Sequence, residues 1–271
     1  MSATTFFTNQ TYLQNQYATQ TNLQIRVETH EKYSFPKLDF AAWVLDHIAW
    51  RGRERVVEVG CGSGVYARRT QARAGHYVGG DLSFGMLQSL PADISRLNLD
   101  AQRLPLADES VDVILANHML YHVPDQDAAA AHFARVLRPG GYLLAATNTS
   151  HNRLELNQLV RDVATELAIP LTDEALGDAL LTFTLENGQA LLERHFAHVT
   201  RDEVDSAFIF PTPEPVIAYI GTTREKLLEV APPGTTWEQV AEQMYRRLST
   251  HIAQKGEFRV NKKAGVFVCQ K

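Results

Sequence analysis

An α/β fold with a mostly parallel sheet and helices on both faces is the architecture this chain predicts, and three observations carry it. Short apolar runs alternate with amphipathic stretches between residues 56 and 146. The first run, Val56-Val57-Glu58-Val59, breaks into glycines at 60, 62 and 64 just before an amphipathic segment over 65–74. The run Val111-Asp-Val-Ile-Leu-Ala116 is mostly apolar on both parities, as a strand covered on both faces requires. Strands alternating with helices pair in parallel through right-handed crossovers.

Taken in order, residues 1–24 are rich in Thr, Gln and Asn and carry no charged side chain, yet Phe6, Phe7, Tyr12, Leu13 and Tyr17 are interspersed. Such a segment orders only against something else. Residues 1–37 are therefore read as an N-terminal lid segment and 38–271 as one domain. Leu38, Ala41, Ala42, Leu45 and Ile48 fall on one helical face. The first strand ends at the glycines, and a second over 76–81 closes on Gly79-Gly80-Asp81. Ser83 caps a short helix that Pro91 stops. A third strand over 96–99 precedes Asp100, and the fourth, over 111–116, runs into Asn117-His118. Asp125 opens an Ala-rich helix, and Pro139-Gly140-Gly141 turns into a fifth strand over 142–146.

The second half differs in character. Leu156, Leu159, Val160, Val163 and Leu167 form a helical stripe ended by Pro170, and further helical stretches cover 186–195 and 237–252. Two strand candidates, 199–210 and 258–269, are placed at the sheet edge and raise the sheet to seven strands, the last antiparallel. The helices within 148–198 and 211–256 read as insertions that cap the substrate side.

Composition narrows the function. At 271 residues and 45% hydrophobic, the chain can bury a full core. Net charge is −5, and the basic clusters at Arg51, Arg53 and Arg55 and at Arg68-Arg69 are short. A nucleic-acid partner is disfavoured, because phosphate binding needs concentrated Lys and Arg. The two cysteines, Cys61 and Cys269, have neither disulfide nor metal spacing, so no metal site is expected. Neither a signal-peptide pattern nor an apolar run of about eighteen residues is present, which predicts a soluble cytoplasmic protein without a membrane partner. The oligomeric state is left open, a homodimer being one option.

The glycine turn carries the chemistry. Glycines at 60, 62 and 64 let the backbone approach a ligand and tolerate positive φ. Asp81 stands 21 residues after Gly60, where a carboxylate can accept hydrogen bonds from both hydroxyls of a ribose. The dinucleotide fingerprint needs glycine where Val65 stands, and the Gly-Lys-Ser/Thr of a phosphate-binding loop is missing. With Glu58 before it, the turn suits a ligand bearing an amine and a carboxylate better than a pyrophosphate.

At this point the chain resembles the class I S-adenosylmethionine-dependent methyltransferases, in their small-molecule branch, over residues 56–147. Val-Val-Glu-Val-Gly-Cys-Gly-Ser-Gly matches the family's first motif, and Gly80-Asp81-Leu82-Ser83 with Met86 its second. Asp100-Ala101-Gln102-Arg103-Leu104-Pro105 matches the loop that reads the adenine, and Arg135-Val-Leu-Arg-Pro-Gly-Gly141 the turn before the fifth strand. The resemblance implies a Rossmann-like fold with S-adenosyl-L-methionine as cofactor. It places Gly60, Cys61, Gly62 and Gly64 at the methionine part, with Glu58 orienting that region. Asp81 would hold the ribose, Leu82 and Met86 would flank the adenine, Asp100 and the Ala101 N–H would read its edge, and Asn117 would offer its carbonyl to the methionine amine. Met86 as plain core, Asp100 as a turn former and Glu58 as a cap partner are the alternative readings.

The expected reaction is methyl transfer to a small-molecule acceptor, governed mainly by alignment. Candidate general bases follow the fourth strand at His118 and His122, and purely positioning roles stay open for both. Tyr12, Tyr17, Arg26 and His30 are lid and substrate candidates, Arg26 being a possible partner of the methionine carboxylate. Two alternatives remain: an RNA methyltransferase, and a cofactor-binding protein that transfers no methyl group.

Overall fold

The computed structural model describes residues 20–172, 176 and 182–271. Within them an eight-stranded sheet runs in the order β1-β7-β8-β6-β5-β2-β3-β4. The strands are β1 (Ser34–Phe35), β2 (Arg55–Val59), β3 (His76–Asp81), β4 (Ser95–Asn98), β5 (Val111–Leu115), β6 (Leu137–Asn148), β7 (His198–Phe210) and β8 (Phe258–Gln270). β4, β3, β2, β5 and β6 pair in parallel, whereas β8 is antiparallel to both its neighbours, β6 and β7.

Two expectations change here. The sheet gains β1, which pairs antiparallel with β7 through Ser34 and Phe208. Two residues show no alternation, so β1 left no pattern to read. β8 is antiparallel as expected, but it lies between β6 and β7 and not at the edge. The helical crossover after β6 sets β7 one position away, and the last strand fills the gap.

Helices cover both faces: α1 (Gln20–Tyr33), α2 (Phe40–Leu45), α3 (Ala67–Gln71), α4 (Phe84–Ser89), α5 (Gln126–Val136), α6 (Leu154–Glu166), α7 (Gly188–Leu192), α8 (Glu214–Gly221), α9 (Arg224–Glu229) and α10 (Trp237–Lys255). Their ends follow local chemistry. Asp125 caps α5 by accepting from the Ala128 N–H at 2.9 Å, and a reciprocal Thr236–Gln239 box starts α10, which ends on Gly256 at φ 84°. α1 was not foreseen, since Ile25 and Val27 alternate and show no helical spacing.

Three cores result. On one face Phe133 and Val136 of α5 meet Ile114, Leu143 and Phe267. On the other, Val44 and Leu45 of α2 meet Val113, Leu144 and Val266. A third lies on the extended β7/β8 ribbon, where Phe208, Phe210 and Val260 pack against α6, α8 and α10. Residues 258–263 of β8 continue past its last β6 partner, Asn148, so the ribbon rises beyond the C-terminal ends of the parallel strands. No helix among the described residues is long and apolar enough to cross a membrane.

Candidate functional site

Loops leaving the C-terminal ends of β2, β3 and β5 form one side of a crevice, the usual ligand position in such sheets. Gly60, Gly62 and Gly64 all have positive φ, at 73°, 52° and 81°. A Cβ on Gly60 would lie 2.7 Å from Met119 Cβ, and one on Gly64 2.6 Å from Leu90 Cδ2. Nothing lies within 4 Å of a Cβ built on Gly62. That position borders open space.

Asp81 folds back onto this turn. Its Oδ2 accepts from the Gly62 N–H at 2.9 Å and its Oδ1 from the Ser83 N–H at 2.8 Å. Each oxygen keeps further acceptor capacity, so the carboxylate is fixed and can still receive hydroxyls. Burial raises its pKa, and the N–H donors of Ser83, Gly62 and Leu82 work against that rise. Beside it Leu82 and Phe84 are exposed, an apolar shelf next to a pair of acceptors. Met86 is half-buried, and its N–H donates to the capping Ser83 hydroxyl at 3.4 Å.

Glu58 lies beneath the turn, buried, and accepts from the Tyr77 hydroxyl. Burial pushes its pKa up to about 8; the Tyr77 bond opposes this and the Asp81 charge adds to it. At neutral pH it supports the turn mostly as a neutral acid. The Cys61 side chain is buried and its N–H donates to the Gly80 carbonyl at 2.9 Å. Cys61 thus offers the crevice neither thiol nor N–H. Asp100 accepts from the Gln102 N–H at 2.9 Å and from its side-chain amide at 3.1 Å, while Ala101 is buried. Gln102 also accepts from the Asp125 N–H at 3.0 Å, which ties this loop to the start of α5.

Asn117 is buried, and its Oδ1 accepts from the Ala146 N–H at 3.0 Å, joining β5 to β6. Its Nδ2 is buried without a partner. His118 follows in a left-handed conformation at φ 56°, held by its N–H to the Ala146 carbonyl at 2.8 Å. A non-glycine residue in this region is worth attention at a functional site. Its ring meets Phe40 at 5.4 Å between centroids, and burial pulls its pKa down to about 4. It is neutral at physiological pH and a weak base. His122 ends a 3-10 turn over Leu120–His122 and meets Tyr121 edge-on at 4.5 Å. The two histidines therefore occupy different settings.

Beyond His118 the crevice wall is made by α1 and the β7/β8 ribbon. His30 packs edge-on to Phe208 at 4.7 Å. Burial first, then the charges of Lys262, Arg153, His118 and Arg26, hold its pKa well below the ordinary histidine range. Arg26 donates from Nε to the Thr222 hydroxyl at 3.0 Å and lies 5.6 Å over the Tyr219 ring. Arg153 donates to the Tyr219 hydroxyl. Lys262 donates to the Ser34 hydroxyl at 2.9 Å, with its Nζ 3.5 Å above the Phe208 ring. Tyr12 and Tyr17 lie outside the described residues.

Of the residues singled out from sequence, Gly60, Gly62, Gly64, Asp81, Leu82 and Asp100 line or adjoin one side of the crevice. Asn117 and His118 follow β5, and Arg26 and His30 lie on α1. Lys262, Arg153, Phe208 and Tyr219 were missed. One signal was present: Phe258, Val260, Lys262, Ala264 and Val266 share a strand parity, so Lys262 interrupts an inward-facing row.

A glycine turn and a backbone-held carboxylate thus stand at the C-terminal ends of adjacent parallel strands in a Rossmann-like sheet. Residues 57–145 match the family model described as a methyltransferase domain. The malonyl-(acyl-carrier protein) O-methyltransferase of Yersinia pestis is 34% identical over 40% of this chain and 42% of its own length. The chain spans less than half the length of the curated relatives it matches. Phosphoethanolamine N-methyltransferase 2 of Haemonchus contortus, solved with phosphomonomethylethanolamine and S-adenosylhomocysteine, shares the fold with a TM-score of 0.55 at 16% identity. It covers 100% of this chain and 60% of its own. The cyclase SpnF shares it with a TM-score of 0.50 at 17% identity, covering 86% of this chain and 79% of its own.

Proposed function

We propose that the chain binds S-adenosylmethionine along the glycine turn and transfers its methyl group to a small-molecule acceptor. The observation that carries this reading is the Asp81 carboxylate, held by the N–H groups of Gly62 and Ser83 beside the exposed Leu82. Two features suit the cofactor. The buried Asn117 Nδ2 lacks an internal partner, and the carboxylates at 81 and 100 favour a ligand with a cationic centre. When bound, S-adenosylmethionine supplies an activated methyl.

The chain's own residues do the rest. Asp81 would fix the ribose, Leu82 would pack on the purine, and the turn would admit the amino-acid end. His118, neutral and held by its N–H to the Ala146 carbonyl, would orient the acceptor and accept a hydrogen bond from it; an ionised imidazole is not needed. Alignment and exclusion of water supply the main rate effect. The residues around His118 would hold the acceptor atom in line with the activated methyl that S-adenosylmethionine would supply.

The cyclase among the fold neighbours favours a second reading, cofactor binding without methyl transfer. Incubation with S-adenosylmethionine and a panel of small carboxylic acids, phenols and amines separates the two. Methylated product with stoichiometric S-adenosylhomocysteine supports methyl transfer. Tight cofactor binding with no product across the panel supports the second reading.

A further inference from the structure

We propose that the Tyr66 hydroxyl and the Asn117 side-chain amide hold the carboxylate at the amino-acid end of the cofactor; this rests on the S-adenosylmethionine reading above. Tyr66 stands two positions after the last glycine of the turn, at the start of α3, and its side chain makes no capping bond there. Its ring shares a core with Cys61 and with Val44 and Leu45 of α2, and the residue is 6% exposed. A buried tyrosine ordinarily finds a partner for its hydroxyl. Among the described residues the Tyr66 hydroxyl has none.

The charges it senses place that hydroxyl. Burial, then Glu58 and Asp39, push its pKa far above the ordinary tyrosine range; Arg69 opposes them and Tyr121 adds to them. Glu58 stands near the end of β2 and Tyr121 follows β5, so the hydroxyl belongs to the region between the C-terminal ends of these two neighbouring strands. It keeps its proton at every working pH and is a permanent donor.

Asn117 points to the same face of the sheet. The N–H groups of Ala116 and His118 bond to the Leu144 and Ala146 carbonyls, each at 2.8 Å, so the pairing of β5 with β6 continues through this residue. Asn117 therefore keeps the parity of Val113 and Leu115, which lie with Tyr66 in the core under α2. Its Oδ1 is taken by the Ala146 N–H at 3.0 Å, and its Nδ2 is left buried with no partner.

Two open donors on one face call for a group that only accepts. A carboxylate does so through charge-assisted bonds, whereas an ammonium has nothing to offer the Asn117 amide. The glycine turn supplies little instead. The N–H groups of Cys61, Gly62 and Gly64 are spent on the Gly80 carbonyl, the Asp81 carboxylate and the Cys61 carbonyl, each at 2.9 Å. Buried donors without partners are unfavourable in the folded chain, and a bound carboxylate would satisfy both.

Calorimetry on the full chain tests this with three probes. S-adenosylhomocysteine carries the whole amino-acid end, its decarboxylated form keeps only the amine, and methylthioadenosine has neither group. Tyr66→Phe keeps the ring in its core and removes only the hydroxyl. It should weaken S-adenosylhomocysteine about tenfold and leave the other two probes within about twofold. Asn117→Asp keeps the acceptor for the Ala146 N–H and replaces the donor; it should weaken S-adenosylhomocysteine selectively as well, and by more.

Full S-adenosylhomocysteine affinity in Tyr66→Phe overturns the proposal. An equal loss for all three probes also overturns it, marking a packing defect. A loss shared by S-adenosylhomocysteine and its decarboxylated form but not by methylthioadenosine does the same, assigning the hydroxyl to the amine. Failure of the cofactor reading is visible separately, because the unaltered chain would then bind none of the three probes.

Discussion

The two sides of the site are built in opposite ways. On the side of β2, β3 and β4 the titratable groups are acids, Glu58, Asp81 and Asp100, and Asp81 and Asp100 accept from backbone N–H groups of their own loops. On the side of α1 and β8 they are Arg26, His30, Arg153 and Lys262, held by side-chain hydroxyls and rings from distant parts of the chain. Carboxylates fixed by backbone suit a ligand whose shape never changes. Cations fixed by side chains suit a ligand that differs between proteins sharing the fold.

The comparison breaks most readily at Asp81. Asp81→Ala removes the ribose acceptor and frees the Gly62 and Ser83 N–H groups. Its affinity for S-adenosylhomocysteine should fall about a hundredfold or more by calorimetry, whereas Lys262→Met, on the other side, should change it less than about threefold. Parallel losses in both variants would mean that the two sides are not separable.

Within the acidic wall the glycines are expected to differ. Gly60→Ala combines a left-handed backbone with the 2.7 Å approach to Met119 and should cost roughly 3 kcal/mol in urea unfolding. Gly62→Ala meets only open space, so backbone strain alone should cost about 1 kcal/mol. Equal costs would show that the close approach at Gly60 relaxes freely.

His118 stands between the walls. Its imidazole should stay neutral in an NMR titration down to a midpoint of about 4. A midpoint near 6.5 would return it to the ordinary general bases.

The smallest effect concerns Glu58. Its folded pKa of about 8 exceeds the ordinary glutamate value of 4.5, so the folded chain keeps a proton that the unfolded chain releases. The stability this gives is full below 4.5 and is lost as pH rises through about 8. Glu58→Gln should shrink the fall in melting temperature between pH 5 and 8 by a few degrees. An identical fall in both proteins would show that Glu58 is ionised throughout.

How much of this was readable depended on distance along the chain. The glycine turn and Asp81 were legible because backbone hydrogen bonding ties each site residue to neighbours a few positions away or to the next strand. β2, β3, β5 and β6 were legible from apolar runs between turn residues. The position of β8 between β6 and β7 was not, because strand order reflects crossovers and leaves no local pattern. β1 was too short to show one. The basic side chains around Phe208 and Tyr219 were hidden for a related reason: Arg26, Arg153 and Lys262 each resemble an ordinary surface charge until folding brings them against these rings. Only the interrupted parity at Lys262 hinted otherwise.

A crystal structure of the chain with S-adenosylhomocysteine tests the central claim most directly. The account predicts the ribose on Asp81, the purine on Leu82, and the sulfur turned toward His118 with the wall of Lys262 and His30 beyond it. A ligand whose amino-acid carboxylate rests on Lys262, or one that leaves Asp81 uncontacted, would contradict it.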